Sequence, residues 1–256
     1  MSLLHSFAVA LVACAQLLGA AGAAADGSRE VLADMADHPE QPILLFLPLN
    51  VSVVMPSEII ARSSLVQEAL EAYLTEQPYR LKTIAFKTAR SLWLASIRAV
   101  RSGEKGARAN YDDAARAFVQ ELAKHAEFDH VIAPSLYLRD ATVVRGVGEW
   151  DGVRRTLAIE AEGAENRRRI ASTPFEGVAP AASLHAAVFD GKGEKLQEKL
   201  GGLDLIARVF VPRKPDAETG APIVDFLPRD DFFSDPDQLR EGIALTLEPF
   251  LTAPEK

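Results

Sequence analysis

Apolar residues recur at helical spacing in three stretches between Leu65 and Leu122, and at strand spacing after Phe128. A chain with that change of period is expected to lay helices on a sheet. The first half sets the pattern. Ile43-Leu44-Leu45-Phe46-Leu47, closed by Pro48, is too short for a helix and predicts a strand covered on both faces. Leu65, Val66, Ala69, Leu70, Tyr73 and Leu74 return every three or four residues, with Gln67, Glu68 and Glu71 on the other side. They predict a helix that Pro78 stops. Tyr79 to Ala85 predicts a second strand. Ala89, Leu92, Trp93, Ser96, Ile97 and Val100 mark a second helix, ended by Gly103-Glu104-Lys105-Gly106. Asn110 or Asp112 caps a third, with Ala115, Phe118, Val119 and Leu122 inward.

Strands follow. His130 to Val144 is rich in Val, Ile, Leu and Tyr, with Pro134 expected at a bend or bulge. Gly146, Gly148, Asp151 and Gly152 supply a turn, and Val153 to Glu160 alternates as a half-wet strand. Leu184 to Phe189 leads into Asp190-Gly191-Lys192-Gly193, a hairpin signal, and the chain returns over Glu194 to Leu200 and Leu203 to Val211. Pro212, Pro215, Gly220, Pro222 and Pro228 make 212–228 a long irregular loop. Ser234-Asp235-Pro236-Asp237 reads as an N-cap Ser, an early Pro and an acidic first turn, opening a last helix with Leu239, Ile243, Leu247 and Phe250 or Leu251 inward. The expected fold is a single α/β domain over 42–256, a mixed β-sheet with helices packed on it, in the order β-α-β-α-α-β-β-β-β-α.

The first 25 residues carry no charge and 19 of them are apolar. The run from Phe7 to Leu18 has the length of a signal-peptide core, and small residues follow to Ala25. Residues 1–25 therefore read as a signal peptide cleaved between Ala25 and Asp26, and 26–41 as a polar tether. A second processing route fits the same residues: Leu11-Val12-Ala13-Cys14 matches a lipobox, in which Cys14 takes the lipid. The net charge of -8 belongs wholly to the rest of the chain and argues against a nucleic-acid partner, which requires a basic face. Cys14 is the only cysteine, so disulfide frameworks and thiolate metal clusters are excluded.

Several features together resemble a group of bacterial envelope proteins. They are the export segment, the first strand Ile43 to Pro48 with its loop and helix, and Phe128-Asp129-His130-Val131-Ile132 at a helix-to-strand junction. The hairpin from Val188 to Glu194 and the closing helix complete them. The group is the TolB amino-terminal domain, the curli-secretion lipoprotein CsgG and the lipoprotein activators of penicillin-binding proteins. The resemblance implies a periplasmic or outer-membrane-associated protein that works through contacts with envelope proteins, without catalysis or cofactor. A curli-type pore is not expected, because Pro134, Arg139, Asp140, Arg154 and Arg155 interrupt the lipid-facing alternation of about 9 to 11 residues that a pore hairpin needs.

Candidate chemistry is sparse. No Gly-x-Ser-x-Gly, Walker loop or His-Glu-x-x-His is present, so no catalytic or cofactor-binding residue is assigned. His125, Glu127, Asp129 and His130 straddle a helix-to-strand boundary that keeps the two His off a common face, so no metal site is expected, and Asp129 and His130 are read as satisfying backbone groups. Arg167 to Arg169, with Arg154 and Arg155, read as a solvated loop, or as a patch for anionic headgroups or an acidic partner. Asp230, Asp231, Asp235 and Asp237 suit the positive end of the last helix, or form a divalent-cation site. Val51, Val53, Val54 and Met55 form an unusually apolar loop, which either packs under the next helix or faces a partner. The alternative function, a periplasmic hydrolase or small-ligand-binding protein, would place a pocket at the strand ends near Asn50 and after Ala133. Self-association is left open.

Overall fold

All four residues of the first strand, Ile43–Phe46, are buried. Successive side chains of a strand point to opposite faces. Leu44 and Phe46 therefore enter one core, while Leu45 and the following Leu47 enter another. The computed structural model describes residues 41–103, 110–164, 166, 168, 176–212 and 224–251. In chain order the elements are β1 (Ile43–Phe46), α1 (Ser57–Ile60), α2 (Ser63–Thr75), β2 (Arg80–Thr83), α3 (Phe86–Gly103) and α4 (Tyr111–Leu122). There follow β3 (His130–Val144), β4 (Val147–Trp150), β5 (Val153–Thr156), β6 (Ile159–Ala161), β7 (Glu176–Asp190), β8 (Lys195–Leu205), β9 (Ala207–Val211), β10 (Asp225–Pro228) and α5 (Pro236–Leu251).

β1 lies between β2 and the first residues of β3, parallel to both. β7 runs antiparallel along the whole of β3, and β8 pairs antiparallel with β7. Beyond the end of β1, the same edge of β3 is taken by β4, which turns back into β5. Helices cover both faces of this sheet at the β1 end. Val66, Leu70, Tyr73 and Leu74 of α2 and Leu239, Ile243 and Leu247 of α5 meet Ile132, Leu136, Leu184 and Val188 on one face. Ala89 and Trp93 of α3 and Ala115, Phe118 and Leu122 of α4 meet Leu45, Val131 and Phe189 on the other. A third core, built from Ala141, Val143, Trp150, Val153, Ala181, Leu205, Val209 and Val211, joins the far end of the sheet to a small one in the order β10-β9-β6. Among the described residues no helix is long and apolar enough to cross a membrane.

The α/β class with a mixed sheet is as expected; the element order needs correction. Eight strands follow α4 among the described residues where four were expected, and α1 was not foreseen. Val153 to Glu160 divides because β5 belongs to the large sheet and β6 to the small one. The chain changes sheet again at Ile206, whose N–H donates to Pro180 O (3.1 Å) and whose C=O accepts from Arg229 N (2.9 Å). The proline-rich stretch yields β10 at its end, and 213–223 lie outside the described residues. Gly201 and Gly202 do not end a strand. They let α5 and the β4–β5 hairpin approach β8: a Cβ would stand 2.2 Å from Thr246 Oγ1 at Gly201 and 2.2 Å from Val153 Cγ2 at Gly202.

Pro134 makes no bulge. It pairs in register with Ala186, and its C=O, on the edge facing β1, accepts from Asn50 N (3.0 Å). A strand residue turns its N–H and C=O to the same edge, so the missing N–H falls where β1 has already ended. Asn50 continues the ladder there with its side chain, accepting from Leu136 N at Oδ1 (2.9 Å) and donating from Nδ2 to Leu136 O (3.2 Å). Its φ of 58° is one that Asn tolerates. The last helix is capped by Asp235, not Ser234. Asp235 Oδ1 accepts from Asp237 N (3.0 Å) and Gln238 N (3.1 Å), while the Ser234 hydroxyl donates to Asp231 O.

Candidate functional site

The strands of the large sheet outreach the helices that cover them. β3 has 15 residues against 13 in α2 and 16 in α5. At about 3.3 Å per strand residue and 1.5 Å per helix residue, these are lengths of roughly 50, 20 and 24 Å. On the face that carries α2 and α5, cover ends near Leu136. Past it Leu138, Val144 and Val178 are 36%, 50% and 54% exposed. Thr142 pairs with Val178 and Asp140 with Pro180, so these apolar side chains lie on neighbouring strands of one face.

An open cleft of about 560 Å³ lies on this face, lined by Glu58, Leu138, Asp140, Pro180, Ile206, Phe226 and Phe232 among others. Glu58 comes from α1 and Phe226 from β10, so the cleft sits where the helical layer gives way to the small sheet. Its Phe232 wall is held firmly. Asp204, 3% exposed, accepts from Phe233 N (2.8 Å) and from Arg229 Nη1 (3.0 Å), and Arg229 also donates to Leu205 O and Asp231. Phe233 is thereby fixed at φ 63°, and Arg62 reaches across from the start of α2 to Phe232 O (3.3 Å). Burial pushes the Asp204 carboxyl above its usual range, against the opposing pull of the Phe233 N–H and Arg229. The cluster shapes the wall and offers no group to a ligand.

The opposite face of β3, β7 and β8 carries a polar row. Arg139 makes two bonds to Asp151 (3.0 and 3.3 Å), and the buried Ser183 hydroxyl donates to the same carboxylate (2.6 Å). Glu198 meets Lys195 Nζ (2.6 Å) and His185 Nε2 (2.9 Å), and Lys195 continues to Asp112 at the start of α4 (3.1 Å). Hydrogen bonds from Lys195 and then His185 hold the Glu198 carboxyl below its usual range. This row ties α4 to the sheet, with its charges spent on one another.

The residues singled out from sequence are scattered. Of the apolar loop, Val51 is a correction: it is 3% exposed, packed in the α3–α4 core and tied through its C=O to Arg90. Met55 packs against the opposite core, Val53 is half-buried, and Val54 alone stands out, at 84% exposed. Among the described residues the space near Ala133 is only about 10 Å³, and the Asn50 amide is engaged with Leu136. Asp129 satisfies a backbone group as expected, accepting from Ile43 N (2.7 Å). His130 does not: its ring lies between Tyr79 and Phe250, and Nδ1 is buried without a partner. His125 sits by Glu121, and among the described residues no three His, Cys, Asp or Glu side chains are grouped to hold a metal.

Arg155 is 9% exposed and pairs with Glu241 (2.8 Å), so it belongs to no surface patch; Arg154 faces Glu149, and Arg168 is exposed. Arg167 and Arg169 lie outside the described residues, as do Cys14, Ala25, Asp26 and the tether up to residue 40. Sequence reasoning missed the cleft altogether. The one available signal was Val143-Val144, where apolar residues reach both faces of a strand end. No family model, no curated protein and no solved structure matches this chain.

Proposed function

We propose that the chain is an exported, non-catalytic protein of the bacterial cell envelope that helps assemble or regulate an envelope system through protein contacts. On this reading it is periplasmic, or held at the outer membrane by a lipid on Cys14. The observation that carries the contact role is the uncovered apolar face around the cleft, where Leu138, Val144 and Val178 are exposed on neighbouring strands of one face of the sheet. Contiguous apolar surface of this kind marks interaction sites. The charge-free segment ending at Ala25 supports export. Crosslinking in intact cells followed by mass spectrometry tests the role, with an envelope protein linked to this face as the expected result. Links confined to cytoplasmic proteins, or none above background, contradict it. Intact mass of the mature chain tests the processing: a start at Asp26 means cleavage, and an acylated start at Cys14 means anchoring.

A second reading rests on one observation, the size of the cleft. A volume of about 560 Å³ falls in the range of small-molecule sites, roughly 300 to 1,000 Å³. A small-ligand-binding protein would show ligand-dependent thermal stabilisation across a metabolite panel, whereas the contact reading predicts no shift.

A further inference from the structure

The charges around the cleft narrow the kind of partner. Three charged residues border it, Glu58, Arg139 and Asp140, and of these Arg139 turns its side chain to the opposite face of the sheet. The Arg139 guanidinium is committed to Asp151 through two hydrogen bonds. Glu58 meets only the Ser57 hydroxyl, and among the described residues neither an ion pair nor a hydrogen bond reaches the Asp140 side chain. Glu176, the ladder partner of Val144, adds a third exposed carboxylate farther along the same face. The face is thus apolar with free negative charge set into it. An occupant that covered Leu138 and Pro180 would also take water from Asp140, which is flanked by both. Removing water from an unpaired carboxylate is costly, so an occupant that brings its own cations covers this face at the least cost.

Length points to a polypeptide. From Leu138 to Val144 the exposed face extends roughly 20 Å at about 3.3 Å per residue, more than a small ligand fills. An anionic membrane surface fits poorly, since its headgroups would meet Glu58, Asp140 and Glu176. Resting on the contact reading above, we propose that the cleft and the adjoining strand face receive a partner segment whose apolar side chains are flanked by lysine or arginine.

A random peptide-display library selected against the full chain tests this. Leu138→Asp and Val178→Asp chains, each checked for unchanged thermal stability, define binding at the cleft, and Glu58→Gln and Asp140→Asn read out the charge. The expected result is enrichment of apolar peptides rich in Lys and Arg. Their binding is lost in either Asp chain, is weakened roughly threefold to tenfold when both carboxylates are neutralised, and falls with added salt. Peptides that bind at the cleft but are neutral or acidic, and are indifferent to the two neutralising changes, overturn the basic partner and leave the contact reading standing. If no enriched peptide depends on Leu138 or Val178, both are overturned.

Discussion

Asn50 shows how much of this fold rests on single side chains. Its amide replaces a strand residue beside Leu136, and its backbone stands at φ 58°. Asn50→Ala therefore leaves a buried N–H and C=O unpaired and puts a residue with no stabilising side-chain bond into a left-handed conformation. A loss of about 2 to 4 kcal/mol is expected from urea denaturation midpoints. The Glu198 carboxyl, held low by Lys195 and His185, gives a pH signature. A carboxylate with a depressed folded pKa contributes stability above its ordinary value and loses it as pH falls through the depressed one. Denaturation of Glu198→Gln from neutral to acid pH should show a shallower acid-side loss than the parent, and identical slopes would contradict that role. None of this was legible beforehand, because partners such as Asn50 and Leu136, or Lys195 and Asp112, lie far apart along the chain.

At the scale of elements, period and punctuation were informative where cover is complete. α2, α3 and α4 appear at the positions that their apolar spacing predicts, because each buries one stripe against a sheet. The strands after β3 were harder. Gly201-Gly202 looks like a break and is a contact, since a Cβ on the facing Gly242 of α5 would lie 2.3 Å from Gly202 O. Gly242→Ala weighs two effects against each other. Better helix propensity gains about 1 kcal/mol, and forcing the helix off a backbone oxygen costs about 1 to 3 kcal/mol. Because the oxygen belongs to a strand and cannot swing aside, a net lowering of the thermal midpoint is expected. The start of α5 offers a cleaner contrast: Asp235→Ala should cost about 1 kcal/mol and Ser234→Ala distinctly less, since Asp235 accepts both first-turn N–H bonds.

For the whole molecule, the apolar patterning of the sequence was enough for the class of fold and not for the place where the fold stays open. Which strand residues are left bare depends on helix length set against strand length. β3 and β7, with 15 residues each, outrun α2 and α5 along one face. The cleft is a consequence of that mismatch, with Glu58 brought to its edge from α1 and Phe226 and Phe232 from β10 and the turn that follows it. The loop proposed from sequence as a partner surface contributes only Val54 as a largely exposed apolar side chain, so the proposed contact surface moves to the larger apolar face. The central claim is that this bare face is where the protein meets its partner. A photo-crosslinking scan in living cells tests it most directly, with the reactive side chain placed in turn at Leu138, Val144 and Val178, and at Leu94 and Leu196 as apolar positions exposed elsewhere. One envelope protein captured at the first three positions and absent at the last two is the result predicted. Equal capture at all five, or capture only at Leu94 and Leu196, would contradict it.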